Sequence, residues 1–163
     1  MARSEGFTLM ELLLVVAILA LMGVISLGAG AEVLARLEVE AATRRVLVGL
    51  EQGRTAAERM GRPCALSLDA AGWGPPRSGG LPACMGMTLA LGEGLGPQEG
   101  LRLEHNLPEA VRFSSNGLVL DAGTVLVAHR ATALNRCVVV SLPLGVTRVG
   151  LHGDGICRPD PNL

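Results

Sequence analysis

Apolar and polar positions are unevenly distributed along this chain. From Leu12 to Ala31 the sequence reads LLLVVAILALMGVISLGAGA, a run without a single charge. As a helix at about 1.5 Å per residue it would extend about 30 Å. From Glu32 to Arg62 there are five Glu, six Arg and no proline, and Val33, Leu34, Leu37, Ala41, Leu47, Val48 and Leu50 recur mostly at three- and four-residue steps. That is the pattern of an amphipathic helix with supporting charge pairs. Gly61 and Pro63 supply the stop signal. The pattern predicts a helix from Phe7 to about Met60, about 80 Å long, apolar on all sides in its first half and packed on a domain in its second. Gly23, Gly28 and Gly30 interrupt it, at a local cost in water of up to about 1 kcal/mol each. They read equally as tolerated residues or as a hinge.

Beyond Arg62 the period shortens. All nine prolines and all four cysteines lie there, and short alternating runs replace the helical pattern. Val111 to Ser114, the turn Ser115-Asn116-Gly117 and Leu118 to Leu120 read as a hairpin, Asn-Gly supplying the positive φ of a tight turn. Thr124 to His129, Arg136 to Leu142 and Val146 to Leu151 are further strands, with Cys64 to Leu68, Met85 to Leu91 and Leu101 to Leu103 weaker. Gly72 to Pro82 and Gly92 to Gly100 read as loops. The expected fold is therefore α+β: a long N-terminal helix, membrane-spanning in its first half, packed on a mainly antiparallel β head. Its parts are residues 1–6 as a leader, 7–31 as the apolar helix, 32–62 as its amphipathic continuation and 63–163 as the head.

Composition sharpens this division. Hydrophobic residues make up 49% of the 163, but the excess sits in the N-terminal helix, and the rest has an ordinary globular share. The net charge of −1 excludes a nucleic-acid coat built on overall charge. With two Phe, one Trp and no Tyr, stacking platforms for single-stranded nucleic acid are excluded too. Every basic residue is Arg, so Schiff-base and Walker-type lysine chemistry have no residue to use.

The apolar run could be a membrane helix, a cleaved secretory signal or a buried core helix. Its length at a chain terminus disfavours the last. Ala29-Gly30-Ala31 offers a signal-peptidase-like site. Against that reading, the leader carries Glu5 beside Arg3, and Glu11 stands at the head of the run, where a carboxylate disposed of with a signal has no purpose.

Gly6-Phe7-Thr8-Leu9-Met10-Glu11-Leu12 resembles the class III signal of type IV pilins and type II secretion pseudopilins. The resemblance implies cleavage by a prepilin peptidase between Gly6 and Phe7, N-methylation of Phe7, and an assembly role for Glu11, whose carboxylate would pair with the terminal amine of a neighbouring subunit. It further implies a single-pass protein of the bacterial inner membrane with an extracytoplasmic head, assembled with other pilins or pseudopilins into a type IV pilus or a type II secretion filament. The head is similar to the FimT/GspH group of minor pilins through Val111-Arg112-Phe113-Ser114-Ser115-Asn116-Gly117, Cys137-Val138-Val139-Val140-Ser141 and Gly145-Val146-Thr147-Arg148-Val149. The function so implied is tip assembly and protein secretion.

DNA-uptake members of that group carry a Gly-Arg-x-Arg element. Here Arg148 matches its second arginine, and Val146 stands in place of the first. The alternative function is therefore DNA binding in natural transformation, with Arg148, Arg136 and Arg130 as candidate residues. From Pro63 onward seven Arg face eight acids, whereas phosphate tracking needs clustered cations.

Cys64, Cys84, Cys137 and Cys157 permit three disulfide connectivities. Cys64–Cys84 and Cys137–Cys157 are favoured because each closes a moderate loop around turn-rich sequence. A zinc site using His152 and Cys157 is the rival, without C-x-x-C spacing to support it. His105, His129 and His152 lie far apart, Ser114 and Ser115 lack a nucleophile-elbow pattern, and Asp69, Asp121 and Asp154 lack metal-ligand spacing. No enzyme, metal or cofactor is expected.

Overall fold

The computed structural model describes residues 8–92, 100–142 and 144–160, apart from the side chains of 24–29. Helix α1 covers Leu9–Met60. Thr8 caps it: the Glu11 N–H donates to the Thr8 hydroxyl (3.3 Å) and to its carbonyl (3.1 Å). At the other end Gly61 takes a left-handed φ of 61° while its N–H closes on the Glu58 carbonyl, a conformation that glycine adopts without a Cβ penalty. By internal contacts the chain divides into two units, one ending at Leu34 and the other beginning at Ala35.

The N-terminal unit corrects two expectations. Among the described residues no helix is long and apolar enough to cross a membrane, so the membrane-spanning first half of the expected fold and the single-pass inner-membrane location are both set aside.

Among the described residues the second unit has nine strands. These are β1 (Cys64–Asp69), β2 (Gly72–Gly74), β3 (Leu89–Ala90), β4 (Leu101–His105), β5 (Val111–Phe113), β6 (Gly123–His129), β7 (Arg136–Ser141), β8 (Val146–Gly153) and β9 (Ile156–Pro159). They form two antiparallel sheets, ordered β3-β2-β1-β5 and β4-β6-β7-β8-β9. Three details differ from the sequence reading. Gly72–Gly74, expected as loop, is a strand because it carries Trp73 into the core, opposite Leu68 and Leu89. Leu118 to Leu120 makes only a bridge from Val119 to Phe113 rather than a full hairpin arm. Strand β9 was not expected, since ICRP has neither alternation nor a β-rich composition. The expected loop Gly92 to Gly100 falls largely outside the described residues.

The core combines helix and sheets. Ala35, Val39, Ala42, Val46, Leu50 and Ala57 of α1 are buried, with Leu66, Trp73, Val111, Phe113, Val125, Val127, Val138 and Val140 from the strands. This is not the face that the larger aliphatic residues marked: Val33, Leu34, Leu37, Ala41 and Val48 are exposed, and of the expected set only Leu50 is buried and Leu47 half-buried. The buried stripe is rich in small residues because aromatic rings lie close against the helix backbone. A Cβ at Gly49 would fall within the Trp73 indole, and one at Gly53 within the Phe113 ring. The indole Nε1–H donates to the Val46 carbonyl (3.1 Å), so the one buried aromatic donor is satisfied.

Candidate functional site

Gly6 and Phe7, the processing residues, lie outside the described residues. Glu11 occupies the first turn of α1 and is exposed. The geometry also gives Glu11 a local setting that the sequence reading missed: Thr8-Leu9-Met10-Glu11 has the S/T-x-x-E form of a capping box, the Thr8 hydroxyl already accepting from Glu11 N–H. The following residues are apolar on every side of the helix. Leu9, Met10, Leu12, Leu13, Leu14, Val15, Val16, Ile18, Leu19, Leu21 and Met22 are each between 46% and 80% exposed. Five consecutive positions, Leu12 to Val16, exceed one full turn, so no single stripe faces a partner. Among the described residues, nothing lies within 4 Å of where a Cβ at Gly23 or Gly30 would sit. Gly28 is among the residues whose side chains are not described.

In the head, Arg136 has a structural engagement. Its guanidinium is 11% exposed and binds Glu40 of α1 (Nε to Oε1 2.8 Å, Nη2 to Oε1 2.6 Å) and Asp160 after β9. Burial acts to lower its pKa, but the hydrogen bonds to Asp160 and Glu40 and their negative charge outweigh this, raising it above the usual arginine value. Arg148 is exposed on β8 opposite Val139 of β7. Arg136 and Val139 are three residues apart on one strand, so Arg136 and Arg148 belong to opposite faces of the sheet. Arg130 follows β6, its N–H on the Gly100 carbonyl. The three DNA candidates are thus not gathered into one cluster. Arg77 binds Asp69, Arg112 binds Asp121 (2.7 Å) and Arg158 lies 3.7 Å from Asp154.

The cysteines are joined as Cys64–Cys84 and Cys137–Cys157, consistent with the pairing favoured from loop length. The zinc alternative loses Cys157 to the second bridge. The polar residues weighed for catalysis have separate local duties. Asp69 accepts from the N–H groups of Ala71 and Gly72 (2.8 and 3.0 Å), and the Ser114 hydroxyl accepts from Leu118 N–H (3.0 Å). His105 Nε2 lies 3.2 Å from the Leu68 carbonyl, and His129 Nε2 lies 3.3 Å from Glu38 of α1. An open groove of about 630 Å³ follows the helix face from Val48 to Met60 beside Cys84 and Met85.

Comparison of the chain with known protein families, with curated proteins and with solved structures gives no match.

Proposed function

We propose that the chain is a minor subunit of a pilin-type filament, a type IV pilus or type II secretion filament, acting in tip assembly and protein secretion. The observation that supports it best is the N-terminal helix: Leu9 to Met22 carries large apolar side chains, exposed on every face, with the Glu11 carboxylate in its first turn. Burying one such side chain is worth about 1.5–3 kcal/mol. Eleven of them on all faces call for surroundings of like helices rather than one groove. Inside such a bundle Glu11 would lose water, and an unpaired carboxylate there is strongly disfavoured. The amine freed by cutting before Phe7, supplied by a neighbouring subunit, is the partner of opposite charge. The processing partner is a prepilin peptidase and the assembly partners are other pilins or pseudopilins. The DNA reading is not adopted, because Arg136 is held by Glu40 and Asp160 and phosphate tracking requires several cations together.

The capping box makes the test specific. Glu11→Gln keeps a capping residue but removes the charge, whereas Glu11→Ala removes both. In filaments purified from cells expressing each variant, both are expected to be depleted at least about tenfold, the size of a 1.4 kcal/mol loss. Normal incorporation of the Gln variant with loss of the Ala variant would reduce Glu11 to a helix cap and overturn the pairing role.

A further inference from the structure

Strand β9 is an outlier in the head. Its side chains Ile156, Arg158 and Pro159 are exposed and Cys157 is half-buried, so little apolar burial holds it. It pairs with β8 through four register positions, Gly150 to Gly153 against Ile156 to Pro159, and Pro159 has no N–H to contribute. Two fastenings reach past β8 to β7: the Cys137–Cys157 bridge and the ion pair from Arg136 to Asp160. In a flat sheet, residues two strands apart lie about 10 Å from each other, yet the Cα atoms of Cys137 and Cys157 are 6.0 Å apart. The sheet is therefore curled over β8, and Gly150 sits under the curl. A Cβ there would lie 3.3 Å from Cys157 Sγ and would also meet the Arg158 carbonyl.

The other bridge differs in setting. Cys64 is fully buried in β1, Cys84 packs against the core, and backbone bonds from Cys84 N–H to the Ala65 carbonyl (3.1 Å) and from Ala65 N–H to the Pro82 carbonyl (3.0 Å) hold the same chain in place. Cys137 is also fully buried, but neither it nor the half-buried Cys157 belongs to the core cluster that holds Cys64.

We propose that β9 is a redox-released clasp: reduction of Cys137–Cys157 detaches residues 156–160 from the head and uncovers the β8 edge, while the two sheets otherwise persist. The reductant is a dithiol. Its thiolate attacks Cys157 Sγ and expels the Cys137 thiolate, and its second thiolate then breaks the mixed disulfide. Two electrons and two protons pass to the protein, giving two cysteine thiols and one oxidised reductant disulfide. Cutting this link restores the freedom of a loop closed across a separation of 20 residues, against which the described contacts of β9 include one short ladder and the ion pairs of Arg158 and Asp160. Arg136 keeps Glu40 after release, so the helix remains tied to β7.

Hydrogen exchange read by mass spectrometry on the full-length protein tests this, oxidised and after treatment with dithiothreitol, with reduction verified by alkylation. Cys157→Ser provides the open state without reductant, and Cys84→Ser is the control for losing the other bridge. In the reduced protein and in Cys157→Ser, residues 150–159 are expected to exchange at least about tenfold faster, with residues 125–140 within about twofold of the oxidised protein. Cys84→Ser should leave 150–159 protected. Unchanged exchange of 150–159 after verified reduction, or an equal loss across both sheets, would overturn the clasp.

Discussion

Gly49 and Gly53 decide how the helix meets the sheets. Alanine ordinarily stabilises a helix interior over glycine by up to about 1 kcal/mol. Here a methyl group at Gly53 would fall within the Phe113 ring, and one at Gly49 within the Trp73 indole. Overpacking a filled core costs about 1–3 kcal/mol, so the clash outweighs the propensity gain. Gly53→Ala is therefore expected to lower the urea midpoint of the head, whereas Gly23→Ala, with open space around it, should not. Equal midpoints for Gly53→Ala and the parent chain would refute the packing account. These two glycines also show why the sequence misled. Val33, Leu37 and Val48 carry the visible hydrophobic signal but face outward, while the buried face, Leu50 and Thr43 apart, is written in Ala, Gly and Val, whose small size matters only once a ring lies against it. Glu11 is a similar case. Its spacing from Phe7 is legible, but Thr8 as its capping partner is legible only to a reader testing that turn for a cap.

Among the elements, helix α1 and the strands β1, β4, β6, β7 and β8 follow from periodicity and β-branched runs. The short strands β2 and β9 do not. The run Gly72–Gly74 is two glycines around a tryptophan, and β9 is held by a bridge and an ion pair rather than by its own composition. Where a non-local contact creates the strand, local pattern carries no trace of it. The segment after β5 illustrates the same point. Leu118 to Leu120 returns along β5 because Asp121 accepts from both the backbone N–H and the guanidinium of Arg112 (2.8, 3.1 and 2.7 Å). Burial pushes the Asp121 pKa upward, but the Arg112 hydrogen bonds and charge prevail, and the net shift is downward from the ordinary 3.8. A carboxylate with a lowered folded pKa adds stability that is complete above its unfolded value and is lost as pH falls through the folded one. Urea unfolding of the parent and of Asp121→Asn should therefore show a stability gap at pH 7 that narrows below about pH 4. A gap independent of pH would contradict the ionic contribution.

At the scale of the whole molecule, the chain has a head with its own core, to which the second half of α1 contributes, and a first half of α1 with no buried side chain among the described residues. The head is tied together by two disulfides, a tryptophan donor on a helix carbonyl, and an arginine shared by two carboxylates. The described N-terminal residues instead present leucine, valine, isoleucine and methionine to their surroundings on every side. The proposed filament role assigns that surface to neighbouring subunits and the Glu11 carboxylate to a neighbour's amine. Both assignments require that the chain begin at Phe7. Intact-mass and fragment-ion analysis of the protein isolated from its native cells tests this most directly. The account predicts a mature chain starting at N-methylated Phe7. A chain starting at Glu32, or one retaining Met1 to Gly6 in assembled material, would contradict it.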